Sequence, residues 1–317
     1  MLFSSRVLSK RASLLVDGEF ALGRVFSVPL SVPRPPPQSD SRVLAFAEKK
    51  SHSEVQSMKI PCEIAASALL LALRMAQPGI TTAEIDFAVA SYIASRGAYP
   101  SGIGFMGFPR AICVSVNEVI AHGIPDTRPL KDGDIVNFDV TCWKNDWFGD
   151  CSGMALIGAV DEESKRLVRV TREAMDSAID RCVVGAEFGV IPKTISKIAS
   201  DSGFSIVDYF AGHFIGRQMH MLPNVMHWDA GVADGIKSTS VGPDLVLEEG
   251  HVFTIEPILC EGSPAGRCWK DGWTYVTLDG GRTAQWEHTI VVTKDGPVRL
   301  TEPDDQGVGR ERVVCRG

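Results

Sequence analysis

At 317 residues the chain suits one large domain or two small ones, and its 44% hydrophobic content is ordinary for a globular protein. A formal net charge of -7, with no basic block, excludes the electrostatic footprint of a direct nucleic-acid binder. No apolar run approaches the ~20 residues of a membrane span; the longest candidate, Ile64 to Leu73, is broken by Ser67 and ends at Arg74.

Residues 1–47 differ in composition from the remainder of the chain. Arg6, Lys10 and Arg11 stand among residues 1–12 without an acid, Ser4, Ser5, Ser9 and Ser13 recur, and prolines cluster from Pro33 to Pro37. This resembles an organellar transit peptide running into a flexible linker, with Asp17 and Glu19 as departures from the acid-poor pattern. The mitochondrion is the expected destination and a plastid the alternative; without an address in this segment the cytoplasm is expected. The expected organisation is a disordered leader over 1–47, one folded domain over 48–305 and a tail over 306–317. The eight cysteines are scattered, form no C-x-x-C pair and read as reduced thiols.

Regular structure is expected from about Val55. Lys59 to Gln77 reads as a helix, with Pro61 early enough to be tolerated and Pro78-Gly79 ending it. Thr81 to Glu84 is a capping box opening a second helix to about Arg96, closed by Gly97. A glycine-rich loop, Ser101 to Pro109, carries Phe105, Met106 and Phe108. Ala111 to Val116 reads as a strand. Lys131 to Asp134 is a turn, Ile135 to Trp143 a strand, and Asn145-Asp146 a hairpin turn into Trp147 to Ile157. Two helices come next, Asp161 to Val183 and Ile191 to Ser200. Four short strands close the chain: Phe204 to Tyr209, Val252 to Leu259, Trp273 to Leu278 and Thr283 to Thr293.

One stretch echoes another. Lys131-Asp-Gly-Asp-Ile-Val-Asn-Phe-Asp139 can be laid over Glu248-Glu-Gly-His-Val-Phe-Thr-Ile-Glu256. In both, an acid and a glycine make a turn and an apolar strand leads to a carboxylate. Two related α+β halves facing each other would bring Asp139 and Glu256 to one central site.

Asp139 and Glu256 are acids embedded in apolar strands, and such acids are costly to bury unless paired or metal-bound. Asp150 comes after Asp139 across the hairpin turn, so the two side chains can lie together. Ionised carboxylates in contact repel, so a cation belongs between them. Glu287 lies in Gln285-Trp-Glu-His288, before the apolar run Ile290 to Val292. Four acids and one imidazole, His213, suit divalent metal better than a lysine or arginine partner. His122 and His220 are left over from that set as histidines able to donate or accept protons.

The motifs Asn117-Glu-Val-Ile-Ala-His-Gly-Ile-Pro125, Asp134-Ile-Val-Asn-Phe-Asp-Val-Thr141, Gly212-His213, Phe253-Thr-Ile-Glu-Pro257 and Gln285-Trp-Glu-His-Thr289 resemble the type I methionine aminopeptidases over roughly residues 55 to 300. Ala98-Tyr-Pro-Ser101 and Gly107-Phe-Pro-Arg110 resemble the organellar branch. The resemblance implies an α+β "pita-bread" fold of two pseudo-symmetric halves around a dinuclear site, with residues 48–305 as the catalytic domain. It implies Asp139, Asp150, His213, Glu256 and Glu287 as ligands of two divalent ions, whether Co, Mn, Fe or Zn. A water activated between the metals would attack the first peptide bond, with Glu256 shuttling the proton. His220 would hold the scissile amide or polarise its carbonyl, and His122 would contact its nitrogen. Phe105, Phe108, Cys113, Met219 and Trp273 match the positions of the methionine pocket. The implied partners are nascent polypeptide N-termini near the ribosome, with no direct nucleic-acid or membrane partner, and the implied state is a monomer.

Some positions depart from the family pattern. Phe214 replaces a glycine beside His213, where it would crowd the substrate or, if the position needs φ > 0, shift the backbone. His220-Met-Leu-Pro223 replaces His-Glu-Glu-Pro, Ala121 and Cys151 replace a frequent cysteine and threonine, and Met106 replaces a frequent histidine. Two other readings share the fold: an X-Pro aminopeptidase or prolidase, and a non-catalytic binding module.

Overall fold

A computed structural model describes residues 15–37, 46–229 and 245–302. The basic stretch of the expected leader and the tail over 306–317 lie outside the described residues. The central element is an antiparallel sheet built on β1 (Tyr99–Pro100), β4 (Ile135–Lys144), β5 (Trp147–Leu156), β14 (Glu287–Thr293), β9 (Val252–Ile255), β7 (Gly212–Phe214) and β8 (Met221–Val225), in that order. β2 (Cys113–Val116) also pairs with β4, and β15 (Gly296–Arg299) with β14. Two smaller sheets flank it: β6 (Ser205–Ile206), β10 (Ile258–Cys260) and β13 (Thr283–Gln285) in one, β3 (Val119–Ala121), β11 (Gly266–Cys268) and β12 (Tyr275–Thr277) in the other. The β4–β5 turn is tight because Asn145 and Asp146 both take positive φ, 50° and 69°, the geometry that matches strand twist.

The helices divide between the halves of the sheet. α1 (His52–Met75) and α2 (Thr82–Ser95) cover β4 and β5, with Ala65, Ala68, Ile85, Val89, Val136 and Phe138 in one core. α3 (Glu162–Ile179) and α4 (Val190–Asp201) cover β9 and β14, with Leu167, Met175, Ile191, Ile195, Phe253 and Ile290 in the other.

The internal echo is a structural repeat. Gly133 and Gly250 take φ of 88° and 90°. Gly133 N donates to Ile157 O at 2.7 Å and Gly250 N to Val292 O at 2.9 Å; Ile157 N donates back to Asp134 O and Val292 N to His251 O, each at 2.9 Å. The side chains of Asp134 and His251 close the two turns alike, accepting from Lys131 N and Glu248 N. Strand register agrees: Phe138 faces Gly153 as Ile255 faces His288. Asp139 and Glu256 are therefore equivalent positions. Asp139 sits within β4, which runs on to Lys144, whereas Glu256 comes just past the end of β9.

Several expected boundaries move for identifiable reasons. α1 begins before Lys59 because Ser51 and Glu54 form a capping box, Glu54 Oε2 accepting from Ser51 N at 2.9 Å. Pro61 then falls inside the helix rather than in its first turn. The helix survives the lost donor because packing holds it. Cys142 Sγ donates to Pro61 O at 3.1 Å, and a Cβ on Gly149 of β5 would lie 2.4 Å from Cys62 N. The expected strands Val252–Leu259 and Thr283–Thr293 each split in two, at Glu256-Pro257 and at Trp286, where they pass from one sheet to another. Pro257 has no N–H to continue a ladder.

Residues 15–37 correct the expected disordered leader. They lie along the domain, with Val28 and Val32 buried, Phe26 edge-on to Phe87 of α2, and Thr127 N donating to Ala21 O at 2.8 Å.

Candidate metal centre

Side chains directly opposite one another in an antiparallel pair share a face, and so do positions two apart on one strand. Ser152 of β5 faces Asp139 of β4 on one side and Glu287 of β14 on the other. Asp150, two residues before Ser152, joins the same face opposite Thr141. On β9, Thr254 faces Thr289 of β14, so Glu256, two residues on, comes beside Glu287. His213 N on β7 donates to Thr254 Oγ1 at 3.0 Å, which completes the row. Five adjacent strands thus deliver Asp139, Asp150, Glu287, Glu256 and His213 to one face.

The distances agree with this register. Asp150, His213 and Glu287 each offer a ligand atom within 4.8 Å of the others. His213 Nε2 lies 3.8 Å from Asp150 Oδ2 and 3.7 Å from Glu256 Oε1. A proton on Nδ1 of His213 fits its surroundings, because Nδ1 lies 3.1 Å from Phe214 O, which can only accept. Nε2 then presents a lone pair to two carboxylate oxygens. Acceptors aimed at acceptors need a cation between them, and hard carboxylates with one imidazole suit divalent metal.

The acids carry the same message electrostatically. Burial pushes Asp139, Glu256 and Glu287 well above the usual carboxylate range, and the neighbouring acids push them further. Asp150 is pushed up to about 7 by burial, against the pull of the Thr141 hydroxyl, which donates to its Oδ1 at 2.7 Å. Burial lowers His213 to about 4, keeping it neutral and able to ligate. Four such acids ionise together only when cations replace the protons.

Sequence reasoning missed the groups that hold Glu256. Thr254 Oγ1 donates to Glu256 Oε1 at 2.8 Å, Gln285 Nε2 to Oε2 at 3.2 Å, and the backbone N of Glu256 donates to His227 Nε2 at 3.1 Å. Thr254 and Gln285 lie within the quoted motifs and were readable as neighbours of ligands. His227 stands alone after Val225-Met226, with no local signal.

The two remaining histidines sit among aromatic rings. His122 takes a positive φ of 57° and packs edge-on to Phe210 at 5.2 Å and Trp273 at 6.0 Å; Phe108 packs on Trp273 at 5.1 Å. Burial lowers His122 to about 4. The His220 ring lies 4.4 Å from His213 and 5.4 Å from Phe105. Cys113 faces Asp139 across β2 and β4, and Met219 is buried in one cluster with Phe105.

Phe214 corrects the expected crowding. Its φ is not positive, and as the strand neighbour of His213 it points to the opposite face. The ring stacks on Phe253 at 5.2 Å and joins the core beneath the sheet. Met221 is likewise buried in that core. Met106 is exposed, with φ 46°.

Residues 56–294 match the model of metallopeptidase family M24. The chain is 45% identical over 255 residues to the human methionine aminopeptidase 1D, mitochondrial, spanning 80% of this chain and 73% of that relative. It is 42% identical over 279 residues to methionine aminopeptidase 1B, chloroplastic, of Arabidopsis thaliana, spanning 87% and 72%. The crystal structure of methionine aminopeptidase from Rickettsia prowazekii superposes with a TM-score of 0.75 at 37% identity, covering 80% of this chain and 99% of that one.

Proposed function

Because the chain belongs to metallopeptidase family M24, we propose that it is a methionine aminopeptidase, releasing the first methionine from polypeptides whose second residue is small. The observation that carries the reading is the neutral imidazole of His213, its lone pair aimed into a row of buried carboxyls. Asp139, Asp150, His213, Glu256 and Glu287 hold two divalent ions, of Mn, Fe, Co or Zn. Such a metal pair supplies a water acidic enough to attack at neutral pH and polarises the scissile carbonyl.

The other roles fall to the chain's own side chains. Glu256 takes the proton of the attacking water and passes it to the leaving amine. Thr254 and Gln285 fix both of its oxygens for that exchange. His220, close against His213, orients the scissile amide through its carbonyl, and neutral His122 contacts the amide nitrogen. Phe105, Phe108, Cys113, Met219 and Trp273 form a pocket whose aromatic walls and sulfurs suit a thioether. The substrate amine enters neutral, which costs little at a pKa of ~7.7 to 8.0.

The working domain spans 48–305 with residues 15–37 laid against it. The organelle is the mitochondrion, in keeping with the human relative; there the substrates are nascent chains near the ribosome, deformylated beforehand. The protein acts as a monomer, without direct contact to nucleic acid or membrane. Among the described residues no helix is long and apolar enough to cross a membrane. A non-catalytic binding module gains nothing from Phe214, whose ring faces the core and leaves the site uncrowded.

The test is release of free methionine from Met-Ala-Ser by the metal-loaded full chain. Release that requires metal and vanishes with the N-acetylated peptide is expected. No release from a folded chain holding metal contradicts the reading.

A further inference from the structure

Arg110 ends the glycine-rich loop that carries Phe105 and Phe108, and it is 1% exposed. Its NH1 donates to Arg24 O at 2.6 Å, and its NH2 donates to Leu22 O. Asp86 Oδ2 stands farther off, 3.5 Å from NH1, while Oδ1 already accepts from Ala111 N and Ile112 N. A guanidinium cannot shed its proton. Without the two carbonyls it would keep only the more distant Asp86 Oδ2, and the guanidinium would turn towards the water that replaces the segment, drawing the end of the loop with it.

The same segment reaches the other aromatic wall. Asp17 Oδ2 accepts from Lys270 N at 3.0 Å, in the turn that leads to Trp273. Leu15, Val16 and Phe20 meet Val114, Gly123 and Trp269 around a cavity of about 40 Å³. That volume holds little more than a water, so it is a packing seam and not a ligand site. Because side chains alternate along β2, Cys113 faces Asp139 while Val114 faces this seam. Farther along, Val28 and Val32 share one core cluster with Met219 and Phe105.

We propose that residues 15–37 are a brace of the methionine pocket, holding the loops of Phe105, Phe108 and Trp273, and that the working protein keeps them, so any leader is cut before Leu15. The pocket assignment rests on the methionine aminopeptidase reading; the bracing of the two loops does not. The brace is a positioning element and touches neither metal nor the reacting atoms.

The experiment compares the full chain with chains beginning at Leu15 and at Phe46. Amide hydrogen exchange of residues 101–112 and 269–274 is read first, then KM for Met-Ala-Ser with manganese. The chain from Leu15 is expected to match the full chain. The chain from Phe46 is expected to exchange faster in those two loops, as well as at Thr127, whose N–H loses Ala21 O, with KM raised about tenfold, as for a badly fitted pocket, and metal content unchanged. Equal exchange and equal KM overturn the brace. If the chain from Phe46 does not fold, the full-length double variant Asp17→Ala, Phe20→Ala decides by the same two readings, faster exchange at 269–274 with raised KM supporting the brace and no change overturning it. A protein isolated from its organelle that begins after residue 37 also overturns it. Exchange needs no turnover, so a full chain that releases no methionine strikes the functional reading while the exchange result still judges the brace.

Discussion

At the scale of single residues, the site depends on side chains that never meet the metal. Glu256 is held at both oxygens, by Thr254 and Gln285. Loss of such a supporting hydrogen bond typically costs 10- to 100-fold. Thr254→Val is therefore expected to lower kcat about 10- to 100-fold with KM little changed, in steady-state release of methionine. An unchanged kcat would mean that Glu256 needs no such support. Phe214 gives a prediction of the other kind. It stacks on Phe253 in the core, so Phe214→Ala should destabilise the fold by ~3 to 5 kcal/mol, the usual cost of removing a buried ring, and leave KM unaltered. Denaturant unfolding and a KM measurement check both halves. A variant of full stability with a lower KM would restore the view that Phe214 crowds the substrate.

At the scale of elements, much was legible. Strand β4, the Asn145-Asp146 turn, the Thr81–Glu84 cap and the echo between 131–139 and 248–256 are local patterns, and local patterns are visible in one sequence. The missed parts are the ones that tertiary contacts decide. Nothing local shows that Pro61 will be held inside α1 by β5, or that 252–259 and 283–293 each serve two sheets. The short strands β7 and β8 have neither length nor alternation enough to announce themselves, yet β7 carries His213. The repeat also yields a graded test. Both turn glycines have φ near 90°, so alanine strains either, by ~1 to 2 kcal/mol. At Gly250 the new Cβ would also lie 2.5 Å from Lys50 O, whereas at Gly133 its nearest neighbour is Ala159 O at 3.6 Å. Gly250→Ala should thus cost clearly more stability than Gly133→Ala in chemical denaturation; equal costs would contradict the close approach of Lys50.

At the scale of the whole molecule, the fold collects repulsive charge at its centre and is stabilised by what neutralises it. The ligand types could be read from the sequence because acids in apolar strands are costly; their meeting on one face needed the strand order. In the metal-free chain the carboxyls of Asp139, Asp150, Glu256 and Glu287 keep protons at pH values where the unfolded chain, at ~4, has lost them. The folded state binds more protons, so the stability tied to them is full below ~4 and is lost as pH rises through the folded values, about 7 for Asp150. Thermal unfolding of the chelator-treated chain should therefore show Tm falling between about pH 6.5 and pH 8, above the range in which the buried neutral histidines His122 and His213 pull the other way, a trend that bound metal abolishes. A Tm that rises over that range without metal would oppose the account. The central claim is that the row across five strands holds two metals. Its most direct measurement is the metal content of the folded full chain and of Glu287→Gln after equilibrium dialysis against manganese. The account predicts two ions per full chain and fewer in the variant; one ion or none in the folded full chain, or undiminished binding in the variant, would contradict it.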